Sequence, residues 1–555
     1  MHRILILLWI AVGTILRFTN LANKPPWTDE ITTIIYSLGN SYQSIPLNQI
    51  ISLETLLQPL QFSSANSISE VVTHLLTEDV HPPVYFVLAH LWMKLFSQHN
   101  YASIWVARSL PALLGILSIP AVYFLAKLAF RSRSIAHCSA AMMAVSPYGI
   151  FLAQEARHYS LAIIWVILSL ACLIIAVKKI WQRQRLPIWL VFSWVVINSF
   201  GIATHYFFSL TLCAELIVLL VFLWQLFGQF KSQQNQSYSI IYHLPRLLFV
   251  ALGSLAAGLV WLPNFINNRV SGGHTDWIQG NSDFLMQLIN PIFQSLAAWI
   301  TMVYLLPVEA ENLAIVITSG ILMFVIFIWA IPRLFEGIKK AGINQEYALA
   351  TRALLIFVVS AITLFFLITY FLNFDLTRGA RYSFVYFPAV IILLGVSLGN
   401  NWDNNKHKLN VIIILLIACL GGITVVVNLG YQKYYRPDLL APLINNNSPT
   451  LIATTHTTLA HKGELIGLGW ELKQQKIGDK VKFLFVDLDL NNPQTATVTL
   501  QQSINQIVQP TDLWLVNFQV PVELENCQID EQFFPAVDGY EYQLYHCYAQ
   551  KNSLR

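Results

Sequence analysis

Long apolar runs separated by short polar turns occupy the chain up to about residue 430, and short alternating segments follow. Runs near 3–19, 104–129, 135–152, 159–177, 187–204, 206–228, 246–265, 312–332, 350–372, 382–399 and 409–428 each approach the roughly 20 apolar residues that cross a hydrocarbon core, so eleven transmembrane helices are expected. Two further apolar stretches read as non-crossing. The first, 83–97, opens with Pro82-Pro83 and carries His90 and Lys94; it is short for a span and suits a helix in the interface, with Lys94 snorkelling to water. The second, 284–306, is interrupted by Pro291, and the charges on either side disfavour a crossing.

Beyond residue 430 the period changes. VKFLFVDLDL, DLWLVNFQV and YEYQLYHCY alternate as strands do, and HTTLAHKGELIGLGWELKQQ reads as a helix. The expected organisation is a transmembrane domain over 1–430 and a small soluble α/β domain over 431–555.

Charge orients this arrangement. Arg131/Arg133, Lys178/Lys179/Arg183/Arg185, Arg333/Lys339/Lys340 and Lys406/Lys408 all fall on one side if the spans alternate, and the positive-inside rule makes that side cytoplasmic. The N-terminus is then inside and the C-terminal domain outside, in a multi-pass plasma (inner) membrane protein. Residues 20–26 lack a small-residue cleavage site, so the first span is expected to be retained. The part before 431 has 24 Lys+Arg against 16 Asp+Glu, an excess that suits membrane anchors and not nucleic acid. Of six cysteines, Cys138, Cys172, Cys213 and Cys419 lie in spans as small hydrophobes, while Cys527 and Cys547 lie in the exported domain. The compartment permits a disulfide between those two, but two cysteines make no framework. Walker, dinucleotide, paired-cysteine and His-Glu-x-x-His motifs are absent, which excludes nucleotide hydrolysis and zinc proteolysis.

The expected topology gathers three polar turns on the outer side: Trp27-Thr28-Asp29-Glu30, Glu78-Asp79-Val80-His81 and Gln154-Glu155-Ala156-Arg157-His158-Tyr159. An acidic pair at a span's end is ordinarily a solvated boundary. Glu155 and Arg157, however, stand in a turn so short that they lie near hydrocarbon, where a charge costs about 2.5–3.5 kcal/mol and is usually paired or functional. Arg378, Arg381 and Tyr382 fall outside between the ninth and tenth spans; interfacial anchoring is the plain reading of those arginines. His205-Tyr206 is by the same logic an interfacial aromatic cluster. Arg108, entering the second span from outside, is a weaker candidate, and Glu215, inside a span, is expected to pair within the bundle. The polar loop 268–277 reads as a connector before a lid. His81 and His205, with Asp29, Asp79 or Glu155, follow no recognised ligand spacing for a divalent metal, and no cofactor is expected to be required.

LRFTNLANKPPWTDEITT, EDVHPPVYFVLAHLWMKLF, VARSLPALLGILSIPAVYFLAKLAF and SPYGIFLAQEARHYSLA, in this order, resemble the bacterial GT-C glycosyltransferases of the family 39 type, whose relatives by fold include protein O-mannosyltransferases and lipid A aminoarabinose transferases. The resemblance covers roughly residues 1–210 and returns around Thr377 to Pro388, where ARYSFVYFPAV is similar to the family's Arg-Tyr…Pro signature. It implies a GT-C fold with interfacial helices in the first outer loop, a polyprenyl-phosphate sugar donor, and single-step inverting transfer to a glycolipid, polysaccharide or protein acceptor. Asp29 matches the family's catalytic acid and is the expected general base, with Glu30 orienting the loop or binding sugar hydroxyls. Asp79, His81, Glu155, Arg157, Tyr159, His205, Arg378, Arg381 and Tyr382 are the expected substrate-binding residues; the planar Arg fork matches phosphate oxygens two at a time. An oligosaccharyl-type transferase using a pyrophosphate-linked glycan stays open. A transporter also stays open, although it predicts two similar halves and the chain shows no internal repeat.

Overall fold

The computed structural model describes residues 2–96, 100–230, 244–264, 266–267, 276–279, 284–444, 448–477 and 480–548. The expected connector over 268–277 lies largely outside them. The chain divides into two compact units: Met1–Leu21, Asp79–Tyr85 and Arg108–Gln432 form the first, and Ala22–Glu78, Phe86–Ala107 and Lys433–Arg555 the second.

Among the described residues the regular elements of the first unit are helices, and a helix coincides with each of the eleven expected runs. Among the described residues, seven helices are long and apolar enough to cross a bilayer: Ile104–Phe130, Tyr159–Trp181, Phe208–Leu226, Leu244–Asn264, Leu313–Ile343, Ala348–Phe371 and Asn405–Val426. The pair Arg133–Val145 and Pro147–Ala153, bent by 55°, makes an eighth if it is one span. His2–Phe18, Ile188–Ile202 and Phe387–Trp402 have only 17, 15 and 16 residues. The count of eleven therefore is not reached on length and composition, because an apolar run is not all helix: residues Ala380–Val385 coil as a 3-10 turn before Phe387. The expected interruption at Pro291 also fails, since Phe284–Val303 runs through it as one helix; among apolar neighbours one missing N–H is tolerated.

Two local devices hold this unit. Pro147 has no N–H to give the carbonyl of Met143, and the helix breaks there. Buried Arg17 fills the gap, donating from Nη2 to Met143 O at 2.9 Å and from Nη1 to Ala144 O at 2.9 Å. Phe387–Trp402 packs closely on Arg133–Val145 through Gly395 and Gly399: a Cβ on Gly395 would stand 1.9 Å from Ser139 Oγ and 2.7 Å from Ser139 N. Glu215 is paired as expected, its Oε2 accepting from Ser169 Oγ at 2.9 Å and Trp194 Nε1 at 3.3 Å beside an apolar cavity of about 730 Å³.

The second unit is built on a six-stranded sheet of order β1-β3-β2-β4-β6-β5, with β1 Ile50–Ser52, β2 Thr450–His456, β3 Val481–Asp487, β4 Thr511–Val516, β5 Cys527–Ile529 and β6 Tyr542–Cys547. β3, β2 and β4 are parallel, joined by helices Leu459–Gln474 and Gln494–Asn505. The central strands β2 and β4 are buried along nearly their whole length, as parallel strands covered on both faces are. The three strands and the helix expected from the sequence are present. β1 comes from the first long loop and pairs antiparallel with β3, Ile51 opposite Phe483. Cys527 and Cys547, opposite one another on β5 and β6, form a disulfide.

Candidate functional site

Within the first unit, three chain reversals bring most of the expected residues into one cluster. Asp79 follows the end of helix Ile68–Glu78, and the segment after it is fixed where Val84 N donates to Ala203 O at 3.1 Å. The break at Ser146-Pro147 aims the short helix Pro147–Ala153 so that Gln154 to Tyr159 form a turn in which every residue is buried. Gln154 Nε2 pins that turn to Thr19 O at 3.0 Å. The third reversal is Ala203 to Phe207, between two apolar helices.

Asp79 is 1% exposed and its Oδ1 lies 2.9 Å from His81 Nδ1; Arg157, 2% exposed, places Nη2 3.1 Å from His81 Nε2. A guanidinium only donates, so His81 Nε2 accepts and the ring proton sits on Nδ1, donated to Asp79. One imidazole thus links an acid to an arginine and fixes where the guanidinium stands. The Arg157 N–H bonds the carbonyl of Glu155 at 2.7 Å, and its guanidinium lies 5.9 Å from the Tyr159 ring centre.

Histidines and aromatic rings line the rest. His158 lies 5.4 Å from His81, 4.6 Å from His205 and 6.1 Å from Tyr85, centre to centre. His205 is 5.6 Å from Tyr159 and 6.1 Å from Tyr382. Phe207 N donates to His205 Nδ1 at 3.0 Å, leaving the proton on Nε2. Burial first, then neighbouring histidines and Arg157 and Arg381, holds His158 and His205 well below the ordinary imidazole range, so both are neutral. Neither ring nitrogen of His158 has a hydrogen-bond partner among the described residues. A buried neutral imidazole without a partner can donate to an entering oxygen.

Arg381 stacks 4.8 Å over Trp277 and 5.5 Å over Tyr382, and its charge reaches both His158 and His205. Arg378 is engaged otherwise: it donates to Trp277 O at 2.9 Å and pairs with Asp375 at 3.5 Å, beside a separate cavity lined by Asn290, Thr369 and Asn373. Asp79, His81, Arg157, Tyr159, His205, Arg381 and Tyr382 are therefore brought together, with Glu155 in the same turn. His158, Tyr85 and Trp277 were missed. A usable signal for His158 was its place inside a turn too short to reach water.

Asp29 and Glu30 belong to the second unit, in the first turn of helix Thr28–Ser37, where carboxylates favour the positive end of the helix dipole. Glu30 is buried at 1% and Asp29 half-buried. The Asp29 carbonyl accepts from Thr33 Oγ1 at 2.8 Å. Among the described residues, no three His, Cys, Asp or Glu side chains gather as a metal-holding set.

Residues 88–277 match the family described as dolichyl-phosphate-mannose-protein mannosyltransferase, a stretch that includes Glu155, Arg157, Tyr159 and His205. The match bears out the resemblance drawn from the motifs, and with it the class of enzyme: a membrane glycosyltransferase. Among solved structures, ArnT from Cupriavidus metallidurans bound to undecaprenyl phosphate is 12% identical, with 92% of each chain covered and a TM-score of 0.46. The archaeal oligosaccharyltransferase AglB from Archaeoglobus fulgidus, in complex with an inhibitory peptide and a dolichol-phosphate, is 13% identical, with 92% of this chain and 69% of that one covered and a TM-score of 0.43. No curated protein matches the chain in sequence.

Proposed function

We propose that this protein transfers a sugar from a polyprenyl-phosphate carrier to a hydroxyl of an extracytoplasmic glycolipid, polysaccharide or protein, with inversion and without a resident metal or other cofactor. The observation that carries the reading is Arg157, buried and fixed through His81 to Asp79, in a cluster that also feels the charge of Arg381. A departing lipid phosphate needs fixed positive charge that does not reorganise as the bond to the sugar breaks. Arg157 and Arg381 supply it, and neutral His158 and His205 add N–H donors without needing to titrate. Tyr159 and Tyr382 offer ring faces and hydroxyls to the sugar.

Asp29 takes the proton of the acceptor hydroxyl as it attacks, a step worth about 10²–10⁴-fold. It stands in the first turn of helix Thr28–Ser37. Glu30 orients the turn or binds sugar hydroxyls.

The N-terminus lies in the cytoplasm and the sheet-containing unit outside, a reading supported by the one-sided basic clusters and by the disulfide in that unit. Cysteine labelling at Lys24 and Lys179 in intact cells tests it, and labelling of both from one side overturns it. The reaction is tested with purified protein in detergent, radiolabelled polyprenyl-phosphate hexose or pentose donors and a crude envelope extract as acceptor. Wild type transfers label and Asp29→Asn loses transfer while still binding donor. Full activity of Asp29→Asn removes the base, and transfer only from a pyrophosphate-linked glycan moves the assignment to an oligosaccharyl-type enzyme.

A further inference from the structure

Apart from the histidine cluster, the first unit holds a polar cavity of about 240 Å³. Its walls are the opening turns of helix Phe284–Val303, the end of helix Ala348–Phe371 and the 3-10 turn Leu376–Arg378. Each wall is tied to another part of the unit. Tyr370 donates its hydroxyl to Leu288 O at 2.9 Å, Thr377 Oγ1 donates to Gln294 Oε1 at 2.8 Å, and Asp375 N donates to Ile278 O at 2.7 Å. A cavity whose walls are bonded in this way is formed before anything enters it, as small-molecule sites usually are.

The lining decides what fits. Arg378 and Asp375 are its one cation and one anion among the described residues, and they pair with each other at 3.5 Å. The cavity therefore has no net charge, and the carboxylate beside the guanidinium repels an anion such as phosphate. Asn290 and Asn373 each bring a carbonyl and an NH₂ group, and neither side chain makes a hydrogen bond among the described residues. Arg378 commits Nη1 to Trp277 O at 2.9 Å and its Nε faces Asp375 Oδ2, which leaves Nη2 to donate. Pro291 and Tyr370, whose hydroxyl is already engaged, add apolar surface.

Paired donors and acceptors without net charge, set beside apolar surface, match a sugar: each ring hydroxyl both donates and accepts, and the C–H face of the ring is apolar. At about 240 Å³ the space falls below the ~300–1,000 Å³ of sites for drug-sized ligands, so it suits one ring and not a chain.

We propose that this cavity is a binding subsite for a neutral saccharide ring and that the ring belongs to the acceptor, which makes the acceptor a glycan and not a peptide. Position carries the second part. Trp277 belongs to both places: its carbonyl takes the hydrogen bond of Arg378, and its ring lies 4.8 Å from the guanidinium of Arg381. The donor's sugar is held where its phosphate is, at Arg157 and Arg381, so a saccharide at Arg378 is a second one. The assignment to the acceptor rests on the proposed transfer from a polyprenyl-phosphate carrier; saccharide binding as such does not.

Two measurements separate these claims. The first is saturation-transfer NMR of the methyl pyranosides of mannose, glucose, galactose and N-acetylglucosamine with purified full-length protein in detergent and no donor present. At least one of them binds wild type, and Asn290→Leu, which keeps the volume and removes the amide, and Arg378→Gln each weaken it about fivefold. The two side chains stand on different elements, so a folding fault in one variant leaves the other as the test. Binding of none of the four, binding equal in wild type and both variants, or displacement of the glycoside by inorganic phosphate overturns the subsite. The second is transfer of radiolabel from polyprenyl-phosphate mannose to a crude envelope extract. Asn290→Leu raises the KM for the extract about fivefold, and the glycoside that binds competes with the extract. Glycoside binding without competition overturns the acceptor assignment. Absence of transfer from every polyprenyl-phosphate donor overturns the reaction itself, and the NMR result then still decides whether the cavity takes a sugar.

Discussion

Arg157 Nη2 stands 3.1 Å from the Nε2 of His81, so a guanidinium is held by the lone pair of a ring whose other nitrogen is 2.9 Å from Asp79. A point-charge ammonium cannot occupy that geometry and still present a planar fork to phosphate. Arg157→Lys is expected to weaken binding of a polyprenyl-phosphate donor about tenfold, read by titration of purified protein. His81→Phe, which removes the support and keeps the ring volume, is expected to weaken it in the same direction. Unchanged donor affinity in both variants would take the phosphate role away from this cluster.

His546 bridges two acids on the sheet, Nδ1 to Asp512 Oδ1 at 2.8 Å and Nε2 to Asp530 Oδ2 at 3.1 Å. The hydrogen bond to Asp512, above all, raises its pKa in the folded protein. A group raised on folding contributes stability that is full below its unfolded value, ~6.5, and is lost as pH climbs through the folded one. Hydrogen exchange of β5 and β6 should therefore quicken, beyond the intrinsic rate, as pH rises above ~6.5 in the full-length protein. His546→Gln should abolish that extra dependence; a profile shared by both proteins refutes it.

Arg17 closes the carbonyls of Met143 and Ala144 at the break before Pro147. Truncating it orphans two buried acceptors, each costing about 1–3 kcal/mol. Arg17→Ala is expected to lower thermal stability in detergent markedly, and an unaltered melting temperature would contradict the account.

Gly395 admits no side chain, since its Cβ would fall 1.9 Å from Ser139 Oγ and 2.7 Å from the backbone nitrogen. Gly395→Ala should destabilise the protein, and Ser139→Ala should fail to rescue it because the backbone clash remains. Rescue by that second change would place the strain in the hydroxyl alone.

Much of this architecture is legible from residue pattern. The apolar runs located a helix at each expected position, and period-two alternation located β3, β4 and β6, because burial in lipid or against a sheet face acts on each short window independently. The run ending at Pro388 shows the limit: it promised a full span, and its first residues coil as the turn Ala380–Val385 that carries Arg381 and Tyr382. Hydropathy cannot separate helix from an apolar turn packed on neighbours. Pro291 shows the converse, a breaker overruled by its surroundings.

The sequence by itself determined a membrane-embedded helical bundle, a terminal α/β element and the three polar turns that carry the candidate chemistry, since these follow from local composition and order. Tertiary structure decided the rest. It chose Arg381 and not Arg378 to join the histidine cluster, because Asp375 and Trp277 engage the latter. It brought His158 into that cluster, and it set Gly463 against Thr28, a residue some four hundred positions earlier in the chain. These are long-range pairings, and no local pattern encodes them: which polar groups meet is fixed only when packing leaves a buried donor a single acceptor within reach.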